Sequence, residues 1–335
     1  MQCRICKNSA DNMVYQPREM MFGLRERFDY FQCSLCGCLQ IAEIPQDMSR
    51  FYPSDYYSFE PIAELRRTGK WDIKEHLKKV RDRSLVFNTG LLGRLLGLVF
   101  KSHVIDKEVI SRCFINFKLH TVCTTKSKIL DVGCGAGQLL YMLQQAGFKN
   151  LLGVDPFIEE EIHYAGGLRI LKKMTSEIED QFDLIMLHHS LEHMWDQNQI
   201  ASDIFRLLSD CGLCIVRIPL ASSWAWEHYK ENWVQLDAPR HFFLHSVKSF
   251  EMLLKRCGLY IEKIIYDSNE FQFTGSERYV RDIPLRNDCC YDIKSELLVY
   301  SQKEIDNFRK QAEELNASQR GDQAAFFIRK EILAF

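Results

Sequence analysis

Between residues 127 and 333 the chain alternates short apolar runs with longer segments whose apolar positions recur every three to four residues. The runs KILDV (128–132), NLLGVD (150–155), FDLIML (182–187), CGLCIVRIPL (211–220) and LYIEKIIYD (259–267) have the length and apolar content of buried strands. Segments 138–145, about 196–208 and 246–258 carry helical periodicity, the first closed by Gly147 and the last framed by Ser246 as N-cap and Gly258 as stop. A polar helix is predicted around 302–315 and a final strand within 321–333. Strand and helix units in this order predict an α/β fold, a doubly wound sheet with right-handed crossovers.

Composition changes the picture little until the cysteines. The chain has 335 residues, 46% of them apolar and 26% charged, with a formal net charge of -2, so it reads as globular and gives no basic excess for general nucleic-acid binding. The start, MQCRICKNSADN, has no apolar core of signal-peptide length, and the most apolar run, GLLGRLLGLVF (90–100), is too short to span a bilayer. Thirteen cysteines without an export signal suggest reduced thiols and metal ligation in the cytoplasm. Four of them fall as Cys3-x2-Cys6 and Cys33-x2-Cys36 across a spacer of 26 residues, the pattern of a small zinc ribbon in which four thiolates close on one structural Zn2+. Cys38 ranks below Cys36 as a ligand because its C-x-C spacing breaks the knuckle. Four closed ligands leave no catalytic position, so a structural clip is the preferred reading over a binding module.

The segment SKILDVGCGAGQLLYMLQQAGF (127–148) changes character in its middle, from strand through Gly133-x-Gly135-x-Gly137 to helix. Glycines there let backbone approach a ligand at a helix amino terminus. Asp155, at the tip of the next strand and 22 residues after Gly133, is placed to accept both ribose hydroxyls of an adenosine-containing cofactor. A dinucleotide fingerprint needs glycine where Gln138 stands and an apolar residue where Asp131 stands. The D-x-G-C-G-x-G motif instead resembles motif I of class I S-adenosylmethionine-dependent methyltransferases, and the later strands follow that family's order and spacing. The resemblance implies a Rossmann-like seven-stranded sheet with its last strand antiparallel. It further implies S-adenosylmethionine as cofactor, held around Asp131, Gly133, Cys134, Gly135, Gly137, Asp155, Pro156 and His189.

The sequence thus divides into a zinc-ribbon module at 1–50, a helical lid or linker at 51–123 and a methyltransferase domain at 124–335. The linker holds FYPSDYYSF (51–59), a basic stretch from Lys70 to Arg83 and the apolar run 90–100. Such a pairing can rest on an anionic membrane, giving peripheral contact at its inner face; the acids mixed among the Lys and Arg favour a lid.

The stretch VQLDAPRHFFLHS (234–246) follows the fifth strand of this pattern, where such enzymes often build the acceptor pocket. An imidazole suits removal of an acceptor's proton, so His241 is the candidate general base, oriented by Asp237 or Glu192, with His193 of the SLEH segment in reserve. Trp224, Trp226 and Trp233 either offer flat surfaces to a sugar ring or pack the insertion. The order of cysteine pairs, Y-P-x-D-Y-Y-S-F, motif I, S-L-E-H and D-x-P-R-H resembles bacterial methyltransferases of polysaccharide and lipopolysaccharide biosynthesis. That implies a sugar or glycan acceptor, nucleotide- or lipid-linked. Deoxysugar C-methyltransferases share the cysteine module and a Glu-His pair, but Arg240 stands at the Glu position, which favours O-methylation. A quinone-like small acceptor and a zinc-ribbon RNA-binding methyltransferase stay as alternatives; near-neutral charge and HHSLEH in place of an N-P-P-Y-type motif count against nucleic acid.

Overall fold

The computed structural model describes residues 1–52, 77, 80–81, 123–286 and 299–331. In chain order its strands are β1 (Met13–Tyr15), β2 (Tyr30–Gln32), β3 (Leu39–Ile41), β4 (Lys128–Val132), β5 (Asn150–Val154), β6 (Ile162–His163), β7 (Arg169–Leu171), β8 (Phe182–His188), β9 (Leu208–Pro219), β10 (Phe243–Leu244), β11 (Leu259–Tyr266) and β12 (Gln323–Lys330). The helices are α1 (Gln138–Gln145), α2 (Gln197–Leu207), α3 (Trp224–Tyr229), α4 (Val247–Arg256), α5 (Phe271–Val280) and α6 (Gln302–Ala317). The predicted lid stretches within 51–100 lie outside the described residues except for Phe51, Tyr52, Leu77, Val80 and Arg81. No helix among the described residues is long and apolar enough to cross a membrane.

The chain forms two compact units. One comprises Asp55–Leu187 and Arg206–Cys214. It holds the parallel part of the sheet, in which β4 pairs with β5 on one side and β8 on the other, Leu130 opposite both Leu152 and Ile185. β7 continues it beyond β5, and the short β6 runs antiparallel along β7. Strands of a parallel sheet are covered on both faces, which is why β8 is buried from Leu184 to Leu187 without polar alternation. α1 seals one face with Leu140 and Leu143. Its N-cap Gly137 sits at φ 79°, and a Cβ there would press on the Ile170 side chain, so any other residue is strained at this position.

β9 differs from its predicted form. The SDCG segment looks like a turn ahead of a strand from 211, yet extended backbone already begins at Leu208. Gly212 serves close packing instead: a Cβ there would lie 2.8 Å from the Leu208 side chain and 3.0 Å from the Phe182 carbonyl.

The second unit comprises Met1–Ser54, His188–Phe205 and Ile215–Phe335. β12 lies antiparallel to β11, as the expected topology requires of the last strand. α4 keeps its predicted ends, with Ser246 accepting from the Ser249 amide and Gly258 at φ 72° beyond the last turn. A separate antiparallel sheet, ordered β1-β2-β3-β10, joins the cysteine-bearing segment to the chain just after His241. Trp226 and Trp233 are 1% and 0% exposed and belong to the core behind this sheet, so packing, and not display to a sugar, is what they do. Their indole N–H groups donate to Gln32 and to Asp322.

Candidate active site

The glycine-rich turn in the first unit is built around Asp155. Its carboxylate accepts the Gly135 and Phe157 amides, each at 2.9 Å, which fixes the loop against the tip of β5. Asp131, in β4, is 4% exposed; burial and the nearby Asp155 push its carboxyl up to about 8. Burial also raises Asp155, against the pull of its two amide bonds. Among the described residues neither acid has an ion-pair partner. Two buried carboxyls beside a backbone-lined turn, with no cation opposite among the described residues, suit a ligand that is positively charged and carries a ribose diol. Cys134 and Pro156 flank this turn in the chain, whereas Phe157 projects outward, 76% exposed. S-adenosylmethionine fits this donor and acceptor set.

In the second unit the sulfurs of Cys3, Cys6, Cys33 and Cys36 all lie within 4.8 Å of one another. Cys3 is 3.6 Å from Cys36 and Cys6 is 3.4 Å from Cys33, close to the spacing of about 3.8 Å that four thiolates take around an ion at roughly 2.3 Å. Cys38 is buried but outside this group, its sulfur turned to the Leu39 carbonyl at 3.8 Å. The cluster is tied to the His241 loop by backbone and by one side chain: Phe243 pairs with Gln40, Ile41 donates to the Phe242 carbonyl at 3.0 Å, and the Ser246 hydroxyl donates to the Cys36 carbonyl.

That loop faces the turn Leu191–His193, and the Phe242 amide donates to the Glu192 carbonyl at 2.8 Å. The structure brings Glu192, His193 and His241 together, one ligating atom from each within 4.8 Å of the others. The two imidazole rings meet edge-on with centroids 4.6 Å apart. His241 Nδ1 lies 2.7 Å from the Gln235 carbonyl, and His193 Nδ1 lies 2.9 Å from the Arg240 carbonyl. A carbonyl only accepts, so each Nδ1 carries the hydrogen, and in the neutral ring Nε2 is left with its lone pair. His193 also lies near the Tyr52 hydroxyl, at 3.2 Å. Desolvation and the neighbouring His241 hold His193 down at about 4.

Glu192 is 1% exposed. Burial works against its charge, but the bond to His189 and the three surrounding histidines keep it ionised, at about 2. Arg217 donates to His189 Nε2 at 2.7 Å, so His189 Nδ1 carries a hydrogen toward Glu192 Oε1 at 3.3 Å; Arg217 in turn reaches Asp267 at 2.6 Å. His189, at φ 50°, is therefore placed in this relay. Glu192 Oε2 has no hydrogen-bond partner among the described residues.

Asp237 stands 3.9 Å from His241 Nε2, and its carboxylate is held by Arg240 through bonds of 2.6 and 2.9 Å. The atom that sets the His241 ring is the Gln235 carbonyl, a main-chain group that no residue-type pattern can reveal. Arg240, 0% exposed, also binds Glu19 at 2.9 Å and the Phe51 carbonyl at 3.3 Å. Against the cost of burial, Asp237 and Glu19 raise its guanidinium still further, and Arg240 keeps Asp237 low.

Residues 107–264 match the family described as Methyltransferase domain. No curated protein matches the chain. Among solved structures, a SAM-dependent methyltransferase from Archaeoglobus fulgidus is 17% identical with a TM-score of 0.41, over 71% of this chain and 98% of that one. The cyclopropane synthase MmaA2 from Mycobacterium tuberculosis is 11% identical with a TM-score of 0.42, over 76% and 98%. An S-adenosylmethionine-dependent methyltransferase from Mesorhizobium loti is 16% identical with a TM-score of 0.40, over 63% and 95%. Likeness at this level fixes neither acceptor nor mechanism. Taken with the family match, the glycine-rich turn and its two acids define the class: the protein is an S-adenosylmethionine-dependent methyltransferase.

Proposed function

We propose that this methyltransferase O-methylates a sugar during cell-surface glycan or nucleotide-sugar assembly, with His241 receiving the proton of the acceptor hydroxyl. The observation that carries this reading is the locked tautomer of His241, whose Nδ1 is spent on the Gln235 carbonyl while Nε2 keeps a lone pair. When bound, the cofactor supplies an electrophilic methyl group. The chain's own part is to cradle it at Asp131, Gly133, Cys134, Gly135, Gly137, Asp155 and Pro156, and to position and deprotonate the acceptor. His193, Glu192 and Asp237 support His241, and His189 belongs with them through Glu192. The motif order from the cysteine pairs through D-A-P-R-H supports a sugar over a quinone-like acceptor or RNA.

Zn2+ at Cys3, Cys6, Cys33 and Cys36 would be structural, since four thiolates complete its tetrahedron. The division into a ribbon at 1–50, a lid or linker at 51–123 and a catalytic domain at 124–335 goes with this reading, as does work in the cytoplasm or at the inner face of the membrane.

The test supplies methyl-labelled S-adenosylmethionine to wild type and His241→Ala with nucleotide sugars and lipid-linked glycans as separate acceptor pools. Label in a sugar oxygen with wild type alone supports the reading. Label at carbon, label in neither pool, or full turnover by His241→Ala, overturns it.

A further inference from the structure

We propose that Glu192, His193 and His241 form a binding site for a first-row divalent transition-metal ion, separate from the four-cysteine cluster. Three features carry this. The ligating atoms of the three residues lie within 4.8 Å of one another, and they comprise two imidazoles and one carboxylate, a donor set suited to Zn2+, Mn2+ or Fe2+ over Mg2+ or Ca2+. Each imidazole is already oriented as a ligand: its Nδ1–H is given to a main-chain carbonyl, of Gln235 at 2.7 Å or Arg240 at 2.9 Å, which leaves Nε2 for the ion. The carboxylate is likewise supported from behind, with Oε1 on His189, while Oε2 is buried with no hydrogen-bond partner among the described residues. An anionic oxygen left bare in a buried site is costly, and a cation removes that cost.

Ligand atoms about 2.1 Å from a common ion are at most about 4.2 Å apart, so atoms already within 4.8 Å of one another need little movement to share one. Three protein ligands leave coordination positions open. His193 is partly exposed, giving an ion a way in. Resting on the acceptor reading above, an acceptor hydroxyl on an open position would ionise more readily: its O–H bond breaks, the electron pair stays on oxygen, and the proton leaves to water. In that state His241 Nε2 is a ligand, and the ion takes over the task of acidifying the hydroxyl.

Cobalt(II) titration of the full-length protein tests the site by absorbance. Thiolate-bound cobalt shows intense sulfur-to-metal bands in the near ultraviolet, whereas a site of nitrogen and oxygen shows weaker visible bands alone. Wild type is expected to show the second signature in addition to the first. Glu192→Gln, His193→Ala and His241→Asn should each weaken that second site by at least roughly 100-fold and keep the thiolate bands, which report a folded cysteine module. Absence of a nitrogen and oxygen site in wild type, or equal affinity in all three variants, overturns the proposal. The wild-type result stands even if one variant fails to fold. Methyl transfer measured in the same samples separates the two readings: cobalt bound with no sugar methylated leaves the metal site and removes the acceptor.

Discussion

The phenol of Tyr30 donates a hydrogen bond of 2.9 Å to the main-chain carbonyl of His241. Tyr30 lies on β2, between the two cysteine pairs, and is 0% exposed. The candidate base is thus held from behind by the segment whose cysteines converge on one point. Tyr30→Phe leaves the His241 carbonyl without its donor in a buried place, and should cost about 1–3 kcal/mol of unfolding free energy. Hydrogen exchange provides the check: the amides of residues 242–244 should exchange faster in the variant, and those of β4 and β5 should not change.

His241→Ala should lower kcat by about 10²–10⁴-fold and leave S-adenosylmethionine affinity where it was. Calorimetric binding of the cofactor beside single-turnover rates separates the two effects. A matched loss in both would mean that the histidine holds the fold of the site and moves no proton.

Arg240 sits between Glu19 and Asp237 with its side chain fully buried. Arg240→Met keeps the volume but leaves two buried carboxylates uncompensated, and should destabilise the protein by about 3–5 kcal/mol in chemical denaturation. Adding Glu19→Gln to that variant should restore part of the loss. Arg240→Lys should not rescue it, because an ammonium cannot span the two-bond grip on Asp237.

Asp131 gives a pH dependence whose sign is fixed by its burial. Its carboxyl is raised from 3.8 to about 8, so between those values the unfolded chain has released a proton that the folded chain keeps. Stability from this group is full below about 3.9, falls as pH rises toward 8 and is level above it. Asp131→Asn removes the effect. Measured without cofactor, the stability of the variant relative to wild type should grow from pH 4 to pH 8 and then stay constant. A difference independent of pH would show that Asp131 ionises normally.

Local signals were legible in the sequence and distant ones were not. The helix from 247 to 256 was readable end to end because Ser246 and Gly258 act within one turn of where they stand. The glycine-rich turn was readable because its glycines stand in the turn they make, and Asp155, which closes it, lies at the tip of the very next strand. The partners of His241 were hidden: Gln235 contributes a carbonyl, Tyr30 lies 211 residues away, and the pairing of β10 with β3 joins two segments that share no pattern. Arg240 could be singled out as a charge in an aromatic stretch, but nothing in the residue pattern says that it grips Asp237 and Glu19 together. The early start of β9 was missed because Gly212 next to polar residues looks like a turn and is in fact a packing contact.

The borrowed strand β10 also sets an order of events during synthesis. The cysteines and β1–β3 leave the ribosome about two hundred residues before Phe243 and Leu244, which pair with β3. Until then the edge of β3 is open, with the apolar residues Leu39 and Ile41 beside unpaired amides. An ion bound to the thiolates can close the cysteine loop in that interval, but only the carboxyl-terminal half can cover the edge. A chain truncated before residue 243 would therefore carry its converging cysteines beside an adhesive strand, which makes incomplete products natural targets for chaperones and proteolysis.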